Sequence, residues 1–139
     1  MGDDVADPRS APGDVLHRFY AAVDDKRYAD LLGYLTDDAR SVGPAGETTG
    51  AIEHVRNFRL SQGHLPAIQH LITGVVLDEA DDGVQFRANL VAFFTGPDGG
   101  PVFEVGHVWR GTLVPRAGEW RLSVFSVSPV WQRGTRPTT

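Results

Sequence analysis

The sequence predicts an α+β fold, with N-terminal helices packed on one face of a curved, mostly antiparallel sheet. Three observations predict it. In the first sixty residues the apolar positions recur three and four apart. From residue 67 the spacing switches to two. Short turns rich in Gly, Pro and Asp separate the segments that follow the switch.

Residues 1 to about 12 are acidic and rich in Pro, Gly and Ala, and read as a disordered tail. The first helix follows in "PGDVLHRFYAAVDDKR", with Asp14 as its N-cap. Val15, Phe19, Ala22 and Val23 form its inner stripe, flanked by Leu16 and Tyr20. "YADLLGYLTDDA" reads as a second, short helix with Leu31, Leu32 and Leu35 turned inward. "SVGPAGETTG" is a turn-rich loop, with a short strand near Arg40 to Val42. "GAIEHVRNFRLSQG" restarts a helix with Ile52, Val55 and Phe58 (or Arg59) inside, ended by Gly63 and Pro66.

The strands come next. "AIQHLITGVVLDEA" runs into the acidic turn at Asp78–Gly83. In "VQFRANLVAFFTG", Val84, Phe86, Ala88, Leu90, Ala92 and Phe94 face one way and Gln85, Arg87 and Asn89 the other. "PDGGP" is a hairpin loop, "VFEVGHVWRGTLV" the third strand, "PRAGE" a tight turn and "WRLSVFSVSPVW" the last strand. The result is a four-stranded antiparallel meander. The domain is expected over 13–131, with 132–139 a flexible tail.

Composition narrows the function. The 139 residues suit one domain, and the hydrophobic fraction of 41% is ordinary. Thirteen basic residues against 18 acidic ones give a net charge of −5, which argues against nucleic-acid binding. There is no cysteine, so disulfides, thiolate nucleophiles and cysteine-held metal centres are excluded. No apolar run reaches the roughly 20 residues of a membrane span. The N-terminus lacks the pattern of a signal peptide, so a cytoplasmic protein is expected.

The candidate chemistry rests on two histidines and one carboxylate. In the third strand Phe103, Val105, Trp109 and Leu113 make an apolar row, and His107 sits in it. The opposite row carries Glu104, Arg110 and Thr112, so His107 points inward. His70 lies on the first strand, where both rows are mixed. Asp24 closes the first helix at the edge of its buried stripe, where it can orient an imidazole or hold its cationic form. His17, His54 and His64 read as solvated. His70 and His107 lack the short spacing of a ligand pair, and no metal is expected.

In this order, "YAAVDDKRYADLLGYLTDDA", "AIEHVRNF", "IQHLITGVVL", "GHVWRGTLV" and "GEWRLSVFSVSPVW" resemble the SnoaL-like polyketide cyclases. The chain is also similar to scytalone dehydratase and to the β subunits of ring-hydroxylating dioxygenases. The resemblance spans roughly residues 13 to 131. It implies the cone-shaped α+β barrel of nuclear transport factor two. It also implies Asp24, His70 and His107 as an acid–base set in a cavity, with no cofactor. Val23 stands where scytalone dehydratase has a tyrosine before its aspartate.

The expected function is that of a cyclase, dehydratase or isomerase in secondary metabolism, such as antibiotic biosynthesis, acting on a small hydrophobic substrate. The alternative is a non-catalytic binding or assembly module of the same fold. Tyr20, Tyr34, Phe86, Phe103, Trp109 and Phe125 are expected to contact the substrate, with Phe94 and Trp131 as further lining candidates. A homodimer is expected through the open sheet face, where Val91, Phe93, Val102, Val108 and Val114 are apolar.

Overall fold

The computed structural model describes residues 11–137. Helix α1 spans Pro12–Asp24. It starts at proline, whose missing N–H costs nothing in a first turn. Ala11 is the N-cap, and Asp14 lies in the first turn rather than at the cap, where its charge still suits the helix dipole. Val15, Leu16, Phe19, Ala22 and Val23 are all buried. Most of the predicted tail, residues 1–10, lies outside the described residues.

The end of α1 is shaped by its neighbours. The Lys26 N–H bonds the Val23 carbonyl at 3.0 Å and the Arg27 N–H bonds the Ala22 carbonyl at 2.8 Å. This is a Schellman turn, and it places Lys26 at φ 58°, where glycine is usual. The Lys26 ammonium donates to the carbonyls of Gly63 and Leu65, past the end of the helix Ala51–Gln62. That tie offsets the strain of a left-handed lysine.

The predicted second helix is a single 3₁₀ segment, Tyr28–Gly33. Leu31 is buried, but Leu32 is exposed, against expectation. At Leu35 the chain enters strand β1 (Leu35–Gly43). The reason is pairing at long range. Leu35 lies opposite Leu122 of the last strand, and the Leu122 N–H bonds the Tyr34 carbonyl at 2.8 Å. Strand β2 (Gly46–Thr49) folds back antiparallel on β1, where a loop was expected.

Helix α2 spans Ala51–Gln62. Its inner stripe is Ala51, His54, Val55 and Gln62, with Phe58 half-buried, whereas Ile52 is 68% exposed. The expected face was therefore rotated by one position, and His54 is buried rather than solvated. Its Nδ1–H donates to the Gly50 carbonyl at 2.7 Å, and its Nε2 accepts from the Ser41 hydroxyl at 2.7 Å. The ring locks α2 onto β1.

Strands β3 (Ile68–Ala80), β4 (Gly83–Thr95), β5 (Pro101–Arg116) and β6 (Glu119–Gly134) form the expected antiparallel meander. The whole sheet has six strands in the order β2-β1-β6-β5-β4-β3, with β1 parallel to β6. Strand β6 passes the expected boundary at 131, and Gly134 still pairs with Phe103. A bulge between Thr73 and Val76 bends β3, with Gly74 at φ 60°. Such bulges curve a sheet, and here the concave face receives the helices. On the outer face Val102 and Val124 are exposed and Val91, Phe93 and Val108 half-buried, while Val114, expected there, is buried. No helix among the described residues is long and apolar enough to cross a membrane.

The core joins Leu16, Phe19, Leu31, Leu35, Trp109, Leu113 and Leu122, none of them measurably exposed. Leu16→Ala is expected to cost about 2–5 kcal/mol in urea unfolding, as a cavity with no room to collapse. Burial lowers the His54 pKa, and its bond to the Gly50 carbonyl opposes this only in part. Folding therefore favours neutral His54, and the unfolded chain binds the extra proton. This contribution is present above the ordinary histidine value of 6.5 and is lost as pH falls below it. The melting temperature should drop between pH 7.5 and pH 5.5, and the drop should be smaller in His54→Gln.

Candidate active site

Asp24 is the last residue of α1, where a carboxylate opposes the helix dipole. Two hydrogen bonds hold it. Its Oδ2 accepts the backbone N–H of His70 at 2.7 Å, and its Oδ1 accepts the His70 Nδ1–H at 2.6 Å. Both oxygens thus grip one residue of β3. The His70 side chain is 5% exposed and that of Asp24 19%. With Nδ1 committed to the carboxylate, Nε2 is the nitrogen left to face the cavity that His70 lines. The Tyr20 ring, one helical turn before Asp24, lies against the imidazole at 4.4 Å and 35°. Burial and the charge of Asp24 push the Tyr20 hydroxyl far above its ordinary pKa, so it stays a neutral phenol.

The meander carries His107 to the same face. Ala92 lies opposite both His70 and Val105, and Leu90 lies opposite both Ile72 and His107. A register shift between Gly106 and His107 sits beside it. The His107 Nδ1–H donates to the Leu90 carbonyl at 3.2 Å. Burial lowers the His107 pKa. The Leu90 carbonyl opposes that, while the nearby charges of His70 and Arg136 lower it further. His107 is therefore neutral near pH 7. The two histidines differ in kind, since one has a carboxylate behind it and the other a backbone carbonyl.

Both rings line a cleft of about 870 Å³ between α2, the β1–β2 hairpin and the concave face of β3, β4, β5 and β6. Its wall is largely apolar, with Leu90, Ala92, Phe94, Val105, Phe125 and Val127 on the sheet side. Of the residues expected to contact substrate, Tyr20 and Phe125 line it. Phe103 stands behind Phe94 at 5.4 Å, and Trp109 stands behind Tyr20 at 4.9 Å. Phe86 packs on Trp109 at 5.0 Å, and Tyr34 packs against the main core. These four support the wall instead of forming it. Trp131 lies on the other face, over Gly106, where a Cβ would meet its indole nitrogen at 2.2 Å.

The sequence reading missed Ser41, His54, Phe58 and Arg136 in the cleft. The stripe Ala51, His54, Val55 and Phe58 carried a signal for His54, but Arg136 had none, because it lies in the expected tail. A second concavity of about 680 Å³, lined by Asp38, Arg40, Asp82 and Arg116 among others, contains no histidine. No group of three or more metal-ligating side chains occurs among the described residues.

Solved structures with this fold include the Kfla4162 protein of Kribbella flavida, 22% identical, with a TM-score of 0.79 over 90% of this chain and 92% of that one. A scytalone dehydratase-like protein of Novosphingobium aromaticivorans is 12% identical, with a TM-score of 0.80 over 91% and 86%. The hexachlorocyclohexane dehydrochlorinase LinA-type3 of Novosphingobium barchaimii is 17% identical, with a TM-score of 0.79 over 91% and 89%. No curated protein matches the chain. Residues 6–126 match the family model of the SnoaL-like domain. Most of the chain falls within that match, and the protein therefore belongs to the SnoaL-like family, with a nuclear transport factor two-like fold.

Proposed function

We propose that the cleft performs cofactor-independent acid–base chemistry on a small hydrophobic substrate. The reading rests above all on the Asp24–His70 pair, an imidazole fixed in one tautomer at the wall of an apolar cavity. The reaction class is proton abstraction next to a carbonyl, followed by elimination, cyclisation or isomerisation. His70 Nε2 takes the proton and, as the imidazolium, returns it to the departing hydroxyl, which leaves as water. Asp24 holds the ring in place and stabilises the imidazolium that forms. His107, neutral and with Nδ1 bonded to Leu90, presents Nε2 as an acceptor that orients a substrate hydroxyl. Tyr20 and Phe125 bound the substrate, and the apolar wall excludes water from the reacting centre.

The likeness to a scytalone dehydratase-like protein and to a dehydrochlorinase supports elimination as the first reaction to test. The backbone bond of His107 favours a second reading, a binding module of the same fold in which the histidines only position a ligand. Turnover separates the two. The cyclic β-hydroxyketone 3-hydroxy-1-tetralone loses water to give 1-naphthol, which is followed by its absorbance. Wild-type protein is expected to accelerate this reaction. His70→Ala should lower the rate by ~10²–10⁴, the range a positioned base contributes, while the variant still folds by circular dichroism. Asp24→Asn should lower it as well. No acceleration by wild type, or full activity in His70→Ala, would overturn the catalytic reading.

A further inference from the structure

One residue of the cleft has no part in the proton transfer. Arg136 lines the cavity, and it is the only lining side chain with a permanent charge among the described residues. Several other arginines are paired with carboxylates. Arg133 pairs with Glu104, Arg121 with Glu119, and Arg27 with Asp25 and Asp30. Arg136 makes no ion pair among the described residues.

Its position is built by the backbone. Strand β6 ends at Gly134, which has φ 89°, and a Cβ there would meet the Val102 carbonyl oxygen at 2.1 Å. Only glycine fits this turn. The Thr135 N–H then bonds the Val102 carbonyl at 3.1 Å. This carries Arg136 back over the concave face, with its guanidinium 4.9 Å from the centre of the Phe94 ring. Phe94 is on the same row as Ala92, which lies opposite His70. The residue as a whole is exposed, but its guanidinium is partly withdrawn from water, and this burial lowers its pKa.

We propose that Arg136 anchors a carboxylate on the substrate, so that the cleft takes small apolar acids. The proposal rests on reading this cleft as the reactive site. An unpaired guanidinium supported on an aromatic ring offers a planar fork of donors to a carboxylate. The ring system of the acid would lie along Phe94, Leu90 and Phe125, within reach of His70. The net charge of −5 makes an anion-selective cleft notable, since the surrounding field repels anions and the selectivity must come from a local cation.

The test is direct binding, which needs no turnover. Titration calorimetry at pH 8 would compare 2-naphthoate with the neutral isostere 2-naphthamide. Wild type is expected to bind the acid at least about tenfold more tightly, as a charge-assisted bond supplies. Arg136→Gln should abolish that preference while keeping the amide affinity, and Arg136→Lys should retain part of it. The measurement reads binding alone, so failure of the catalytic reading leaves this result distinct. Equal affinities in wild type, no binding of the acid at millimolar concentration, a preference that survives in Arg136→Gln, or loss of both ligands in that variant would each overturn the proposal.

Discussion

The two-pronged grip of Asp24 on His70 is the interaction on which the site depends. One carboxylate ends α1 and binds both the backbone and the ring of a single residue on β3. Hydrogen bonds to a charged group are worth about 1.5–3 kcal/mol each, more than most single contacts in the chain. They offset the unfavourable placement of an anion at a helix C-terminus. The backbone bond sets the height of α1 on the sheet. The side-chain bond selects the tautomer of His70. One residue thus ties α1 to the sheet and orients the His70 ring.

The turn after Asp24 gives this grip its precision. Lys26 accepts a left-handed backbone, and its ammonium is tied to carbonyls beyond α2. The end of α1, the end of α2 and the start of β3 are thereby linked in one small region. The cleft opens beside this junction. Three imidazoles around it have three different partners: a carboxylate for His70, a backbone carbonyl for His107, and a serine with a carbonyl for His54. For His107 and His54, burial favours the neutral form and the carbonyl on Nδ1 leaves Nε2 as an acceptor. The partner therefore separates their roles. His70 has a carboxylate on Nδ1, while His54 fastens a helix.

The meander was legible because a half-buried strand writes its burial every second residue. Phe86, Ala88, Leu90 and Phe94 announced β4, and all are buried. The helix α2 was legible as a helix, but not its face. Ile52 looked like the inner residue on hydropathy, yet Ala51 is the one buried. Strand β1 was legible only as a short strand near Arg40 to Val42, and β2 not at all. The pairing of β1 with β6 joins residues more than eighty positions apart, and no local pattern records such a partner. Of the candidate site, Asp24, His70 and His107 share one region of the structure. The aromatic residues expected at its wall mostly stand one layer behind it, since hydrophobicity marks what is buried but not whether it faces a void.

By itself the sequence determined the α+β class, the helix that ends in a carboxylate, and the alternation that turns His107 inward. These are local properties, set by side-chain spacing along a helix or strand. Only the tertiary structure decided that His70, not His107, receives the carboxylate. Only it decided that the chain past β6 returns Arg136 to the cleft. Both outcomes depend on where distant backbone groups come to lie, through the bend of β3 at Gly74 and the turn at Gly134. A carboxylate finds its partner through geometry summed over the whole sheet, and that sum is not contained in any one stretch of residues.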